Sequence, residues 1–258
     1  MKGRQLRKGD FTNLAQDYAK YRASYNKDLL DIIIHSVGKK PETIKAADIG
    51  AGTGIFTKCL IDAGVKSVIA IEPNAKMRES GTKFLGKAVK FLDGSAEKTG
   101  LQNDCVDLVS MASSFHWAKT YDALKEFDRI LTSNGVFTAL WNPRLTYRSP
   151  VESEVEELLK FHYKVTSRVS SGLSGITLEL QDILSDCGIF KTVKYYDAVD
   201  VVRRSKTEYI GAWRSVNDVQ AQLGKDRFEK FIGEVESIVS KYSFIEVSYL
   251  TRAWVATK

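Results

Sequence analysis

Residues 48–56, DIGAGTGIF, place three glycines at every second position and run straight into a segment of helical spacing. The stretch that enters it, IKAADIG at 44–50, is short and apolar, as a buried strand is. Strand, glycine loop and helix in that order open a βα unit in which the backbone comes close to a ligand. Glycine permits both the close approach and left-handed backbone angles. The pattern is Asp48-x-Gly50-x-Gly52-x-Gly54. A dinucleotide fingerprint, Gly-x-Gly-x-x-Gly, does not fit it: begun at Gly50 it needs glycine where Ile55 stands, and begun at Gly52 it needs glycine at Thr57.

Outward from this loop the same rhythm repeats. SVIAIEP (67–73), AVKFLD (88–93), CVDLVSM (105–111) and GVFTALW (135–141) are short apolar runs bounded by Gly, Asn, Asp or Pro. Segments 54–63, 74–85 and 120–131 between them have helical spacing. Alternation of this kind predicts an α/β fold, a Rossmann-like doubly wound sheet whose strands are buried on both faces. Upstream, Phe11, Leu14, Tyr18, Tyr21 and Tyr25 recur at helical steps, and a second helix is expected around 27–37. Downstream of Trp141 the rhythm breaks. Residues 143–175 are polar and mixed, with SRVSSGLSG (167–175) reading as a loop. A helix (176–187), a strand (191–199), helices (206–214 and 225–241) and a final strand (244–256) follow. The expectation is one domain over 1–258. Its sheet is mostly parallel, with the last strand antiparallel at or near an edge. The N-terminal helices (about 10–37) and insertions (about 143–175 and 200–241) are expected to form a helical cap over the carboxyl edge.

Composition narrows the function classes. The chain has 258 residues, 43% hydrophobic and 27% charged, long enough to bury a core without disulfides. Its +6 net charge is dispersed, with only short basic runs at 39–40 and 203–204, so a nucleic-acid partner is disfavoured. The basic start, MKGRQLRKGD, is not followed by an apolar run of signal-peptide length, and LLDIII (29–34) is too short to span a membrane. Cys59, Cys105 and Cys187 form neither a disulfide framework nor a zinc motif. A reducing cytoplasm is the expected setting.

The glycine loop suits S-adenosylmethionine, which has no phosphate, carries a sulfonium, and needs backbone close to its methionine part. Asp48 supplies negative charge at the end of the first strand. Glu72 ends the next strand, 18 residues after Gly54, where a carboxylate accepts both ribose hydroxyls. With these residues in place, the chain resembles the class I S-adenosylmethionine-dependent methyltransferases of the small-molecule group. ADIGAGTGIFT resembles that family's first motif and IAIEPNAKMR its second. FLDGSAEKTGLQNDCVDLVSMASSFHWAK resembles the third and fourth, and FDRILTSNGVFTALWNPR the helix and strand that follow. SSFHW with WNPR resembles trans-aconitate-type methyltransferases, and YAKYRASY their entry helix. The likeness covers roughly 10–145.

That resemblance implies the cofactor S-adenosyl-L-methionine, with S-adenosyl-L-homocysteine as product. It implies contacts from Tyr18, Arg22, Asp48, Gly50, Gly52, Gly54, Glu72, Pro73, Met77, Ser95, Ala96 and Ala112. Ser95 replaces an acidic residue common in relatives, so the adenine amino group would be met by backbone or by Asp93. His116 follows the fourth strand and is the candidate general base for a substrate hydroxyl, or else fixes the loop beside Trp117. Trp117, Trp141, Arg144 and Tyr147 are the candidate substrate residues, with Arg144 either clamping an acidic group or pairing locally. No cluster suggests a metal. The Asn-Pro-Pro-aromatic motif of amine-methylating nucleic-acid enzymes is missing after the fourth strand. The reading is therefore methyl transfer to an oxygen of a small molecule. The alternatives are non-methylating chemistry in the same pocket, or a non-catalytic cofactor-binding protein.

Overall fold

The computed structural model describes residues 21–165, 172–173 and 175–258. The chain runs α1 (Lys27–Ser36), β1 (Lys45–Ile49), α2 (Ile55–Asp62), β2 (Ser67–Ile71), α3 (Ala75–Leu85), β3 (Lys90–Leu92), β4 (Val106–Ala112), α4 (Thr120–Ile130) and β5 (Leu131–Trp141). It continues through α5 (Pro150–Glu157), α6 (Leu180–Asp186), β6 (Thr192–Arg204), α7 (Lys206–Arg214), α8 (Asn217–Ser240) and β7 (Ile245–Thr257). These form one seven-stranded sheet in the order β3-β2-β1-β4-β5-β7-β6. The first five strands are parallel, and β7 runs antiparallel to both of its neighbours, second from the edge.

Alternate residues of each strand feed opposite faces, the two-residue period of a pleated sheet. Ala47, Ile49, Val109, Met111, Phe137, Ala139, Trp141, Trp254 and Ala256 pack under α4 and α6. Ala46, Leu108, Val136, Leu140, Ala253 and Val255 pack under α1 and α2. Here α1 departs from its expected place. Leu30, Ile33 and Ile34 lay it on a sheet face, held by the Asn26 cap to the Leu29 amide at 3.0 Å. The helix expected over the preceding tyrosines lies mostly outside the described residues, and Tyr25 itself is in irregular chain.

A third cluster makes the cap. Val151, Val155 and Leu159 meet Tyr209, Trp213, Phe228, Phe231 and Val235, and all of them close on Ile245, Val247 and Tyr249 of β7. Because β7 is antiparallel, these first residues of the strand stand at the carboxyl edge of the parallel strands. Three stretches differ from expectation. The stretch 143–165 contains α5 and a π turn at Leu158–His162, and β6 extends to Arg204 because it pairs with β7 along its whole length. The helix expected at 225–241 begins at Asn217 and kinks at Gly224, whose φ of 71° is non-helical. Among the described residues no helix is long and apolar enough to cross a membrane.

Candidate functional site

The glycine loop joins β1 to α2, and its glycines do two different jobs. All have positive φ (66°, 59° and 84° for Gly50, Gly52 and Gly54). A Cβ on Gly50 would meet Ser114 Cβ at 2.7 Å, and one on Gly54 would meet Leu85 Cδ1 at 2.6 Å. On Gly52 it would meet only Met77 Cε, at 3.5 Å. Gly50 and Gly54 thus allow packing, while Gly52 faces open space.

That space is a cavity of about 610 Å³ along the carboxyl edge, within the usual range for small-ligand sites. One end is bordered by Gly50, Ala51, Gly52, Glu72, Pro73, Met77, Ser95, Ala96, Glu97 and Ala112. The lining continues through Tyr21, Arg22, Trp117, Asn142, Arg144, Thr146, Glu156, Leu173, Ala212, Val216 and Tyr249, so part of it comes from the cap.

Glu72 accepts from the Gly52 amide at 2.9 Å through one carboxylate oxygen and from the Asn74 amide at 2.8 Å through the other. Each oxygen keeps a second lone pair. A carboxylate fixed in this way, with a side-chain-free Gly52 beside it, fits the vicinal hydroxyls of a ribose. Burial raises its pKa, against the lowering effect of the Asn74 and Gly52 amides. Asp48 borders the same end but is fully buried, accepting from Thr57 Oγ1 at 2.6 Å and Ser110 Oγ at 2.9 Å. Burial pushes it up to about 6. Its carboxylate ties β1 to α2 and β4 rather than standing exposed to a ligand.

Several expected site residues lie elsewhere. Gly54, His116, Trp141 and Tyr147 do not border the cavity, and Tyr18 is outside the described residues. Trp141 follows strand parity onto the α4 face, where its indole N–H donates to His116 Nδ1 at 3.2 Å. The neutral ring then carries its proton on Nε2, which is buried without a partner. Neither nitrogen offers a lone pair to a substrate, so His116 is not placed as a general base. Burial holds it down to about 4, against the pull of Asp218. Tyr147 is 75% exposed in a short 3₁₀ turn. Asp93 pairs with Arg78 at 3.0 Å and does not reach the cavity; Glu97 borders it instead.

Arg144 does border it, but as one half of a buried pair. Its Nη1 reaches Glu152 Oε1 at 3.0 Å, and the guanidinium lies 4.0 Å above the Trp213 ring. Burial works against its charge, yet Glu152 keeps it more firmly protonated than usual. Sequence reasoning missed the cap residues Ala212, Val216 and Tyr249, which arrive from distant segments without a motif. It also missed Ser113, whose φ of 52° no sequence signal announces. Among the described residues no group of His, Cys, Asp and Glu is placed to hold a metal ion.

Comparisons with known proteins agree with this geometry. Residues 47–139, from β1 to β5, match the family described as a methyltransferase domain. An uncharacterized methyltransferase of Mycobacterium tuberculosis is 31% identical over 127 residues, 49% of each chain. The chain thus spans about half the length of the curated relatives it matches. A structure from Anaeromyxobacter dehalogenans, described as a candidate type II methyltransferase, superposes with a TM-score of 0.66 at 16% identity, covering 92% of this chain and 98% of that one. An N-methyltransferase of Haemonchus contortus, solved with phosphomonomethylethanolamine and S-adenosylhomocysteine, superposes at 0.57 with 11% identity, covering 96% and 57%. Sheet order, glycine loop and superpositions define the class I methyltransferase fold. Within it, residues 47–139 match a methyltransferase domain.

Proposed function

We propose that this chain transfers a methyl group from S-adenosylmethionine to a small-molecule acceptor, at an oxygen of a hydroxyl or carboxylate. The observation that carries the reading is the single cavity joining Gly52 and Glu72 to a compartment walled by the cap. When bound, the cofactor supplies an electrophilic methyl on sulfur. The protein's part is to align acceptor and methyl and to exclude water, which accounts for much of the barrier reduction in such displacements. Glu72 would hold the ribose, Ser95, Ala96 and Glu97 would border the adenine, and Met77 would pack against it.

In the acceptor compartment, Arg144 would direct the N–H groups not engaged by Glu152 at the acceptor oxygen. With His116 turned away, a hydroxyl acceptor would pass its proton toward Glu156, whereas a carboxylate needs no base. The finer likeness to trans-aconitate-type methyltransferases rests on SSFHW, WNPR and YAKYRASY.

Calorimetry with S-adenosylhomocysteine should show binding, and Glu72→Ala should weaken it by about 1.5–3 kcal/mol, the loss of hydrogen bonds to a charged group. Labelled methyl donor offered with hydroxyl, carboxylate and amine acceptors then identifies the product. Tight NADH binding without S-adenosylhomocysteine binding would sink the proposal.

A further inference from the structure

Ser113 is the first residue past β4 and one of few non-glycine residues with a left-handed φ, at 52°. Its amide donates to Leu140 O at 2.7 Å, which pins this turn to the end of β5. Its hydroxyl lies 3.0 Å from the Tyr25 hydroxyl, and both residues border the cavity. Left-handed backbone at a β-carbon-bearing residue costs of order 1 kcal/mol, and such strain persists where surroundings enforce it.

Tyr25 is held equally firmly from the other side. Its ring packs edge-on against Phe56 at 5.3 Å. Asn142 donates to Ser24 O at 2.7 Å, and the Asn26 amide donates to Thr251 Oγ1 at 3.1 Å. Through its ring and its two chain neighbours, the residue therefore bridges α2, just after the glycine loop, the chain just past β5 and the middle of β7. Two hydroxyls from distant parts of the chain thus meet at the wall of the cavity that Gly52, Glu72 and Arg144 also line.

We propose that the Tyr25–Ser113 hydroxyl pair is a positioning site for the transferable methyl, holding the sulfonium methyl by oxygen lone pairs and aiming it at the acceptor compartment. This rests on the reading of the cavity as an S-adenosylmethionine site. Whichever hydroxyl donates in their mutual bond, Ser113 Oγ keeps at least one lone pair. C–H groups polarised by a sulfonium are drawn to such oxygens, and fixed dipoles of this kind need no reorganisation during reaction. In the displacement, the acceptor's lone pair forms the new bond to the methyl carbon. The carbon–sulfur bond breaks and its electron pair stays on sulfur. The hydroxyls neither gain nor lose a proton, so Tyr25 and Ser113 position and do not act as bases.

The test compares three ligands by calorimetry, without any acceptor: S-adenosylhomocysteine, S-adenosylmethionine, and sinefungin, which carries a protonated amine in place of the sulfonium methyl. Tyr25→Phe keeps the ring on Phe56, and Ser113→Gly suits the left-handed backbone, so both should fold, as thermal melts will report. Each should weaken sinefungin by about tenfold or more and S-adenosylmethionine by about two- to fivefold. S-adenosylhomocysteine, which has nothing for the pair to hold, should stay within about twofold. Equal losses for all three ligands, or none, would overturn the pair's role while leaving the cofactor site intact. Wild-type protein that binds none of them would overturn the cofactor reading itself.

Discussion

His116 and Asp48 are buried titratable groups whose pKa values move in opposite directions, and their linkage to stability differs in sign. His116 is lowered from 6.5 to about 4. Its neutral form suits the fold, so its contribution is complete above pH 6.5 and is lost as pH falls through 4. Asp48 is raised from 3.8 to about 6. Its contribution is complete below pH 3.8 and is lost as pH rises through 6. Each swing is of order 3 kcal/mol, and over the shared window the two offset each other. Urea unfolding at stepped pH should separate them. His116→Gln should gain stability relative to wild type as pH drops from 6.5 to 4, and Asp48→Asn should lose it over the same range. Parallel curves for wild type and His116→Gln would contradict the buried tautomer. At this scale, the place of Glu72, Gly50 and Gly52 on the cavity was legible because charge and spacing name them, whereas Gly54 serves packing instead. The orientation of His116 was not, because strand parity at Trp141 decides which nitrogen is occupied, and parity appears only once the register is set.

Among elements, the loop between β1 and α2 invites a paired substitution. Gly54→Ala places a Cβ against Leu85 at a φ of 84°, so it should lower stability by roughly 1–3 kcal/mol. Gly52→Ala faces the cavity and should chiefly weaken S-adenosylhomocysteine binding. Thermal melts beside calorimetry check both, and a larger stability loss at Gly52 than at Gly54 would reverse the assignment. The inner parallel strands were readable as apolar runs because burial on both faces leaves little polar alternation to confuse them. α5 was not readable. Its sequence PVESEVEE buries Val151, Val155 and even Glu152, which a sequence reading assigns to solvent unless Arg144 is known to meet it.

Across the whole molecule, Arg144 and Glu152 join the end of β5 to the cap. Removing one partner leaves the other buried and uncompensated, so Arg144→Met or Glu152→Leu alone should cost about 3–5 kcal/mol. The double variant should recover much of that loss, with S-adenosylhomocysteine affinity unchanged; additive losses in chemical denaturation would argue against a coupled pair. The last strand carries a further consequence. β7 lies between β5 and β6 and also supplies Ile245, Val247 and Tyr249 to the cap. While the ribosome is still making residues before 245, the thirteen residues of β6 have no neighbouring strand and the cap has no floor. The edge of the sheet and the enclosure of the cavity therefore complete together, after synthesis of β7. Until then YYDAVDVV, at 195–202, is a nascent segment for chaperones to shield.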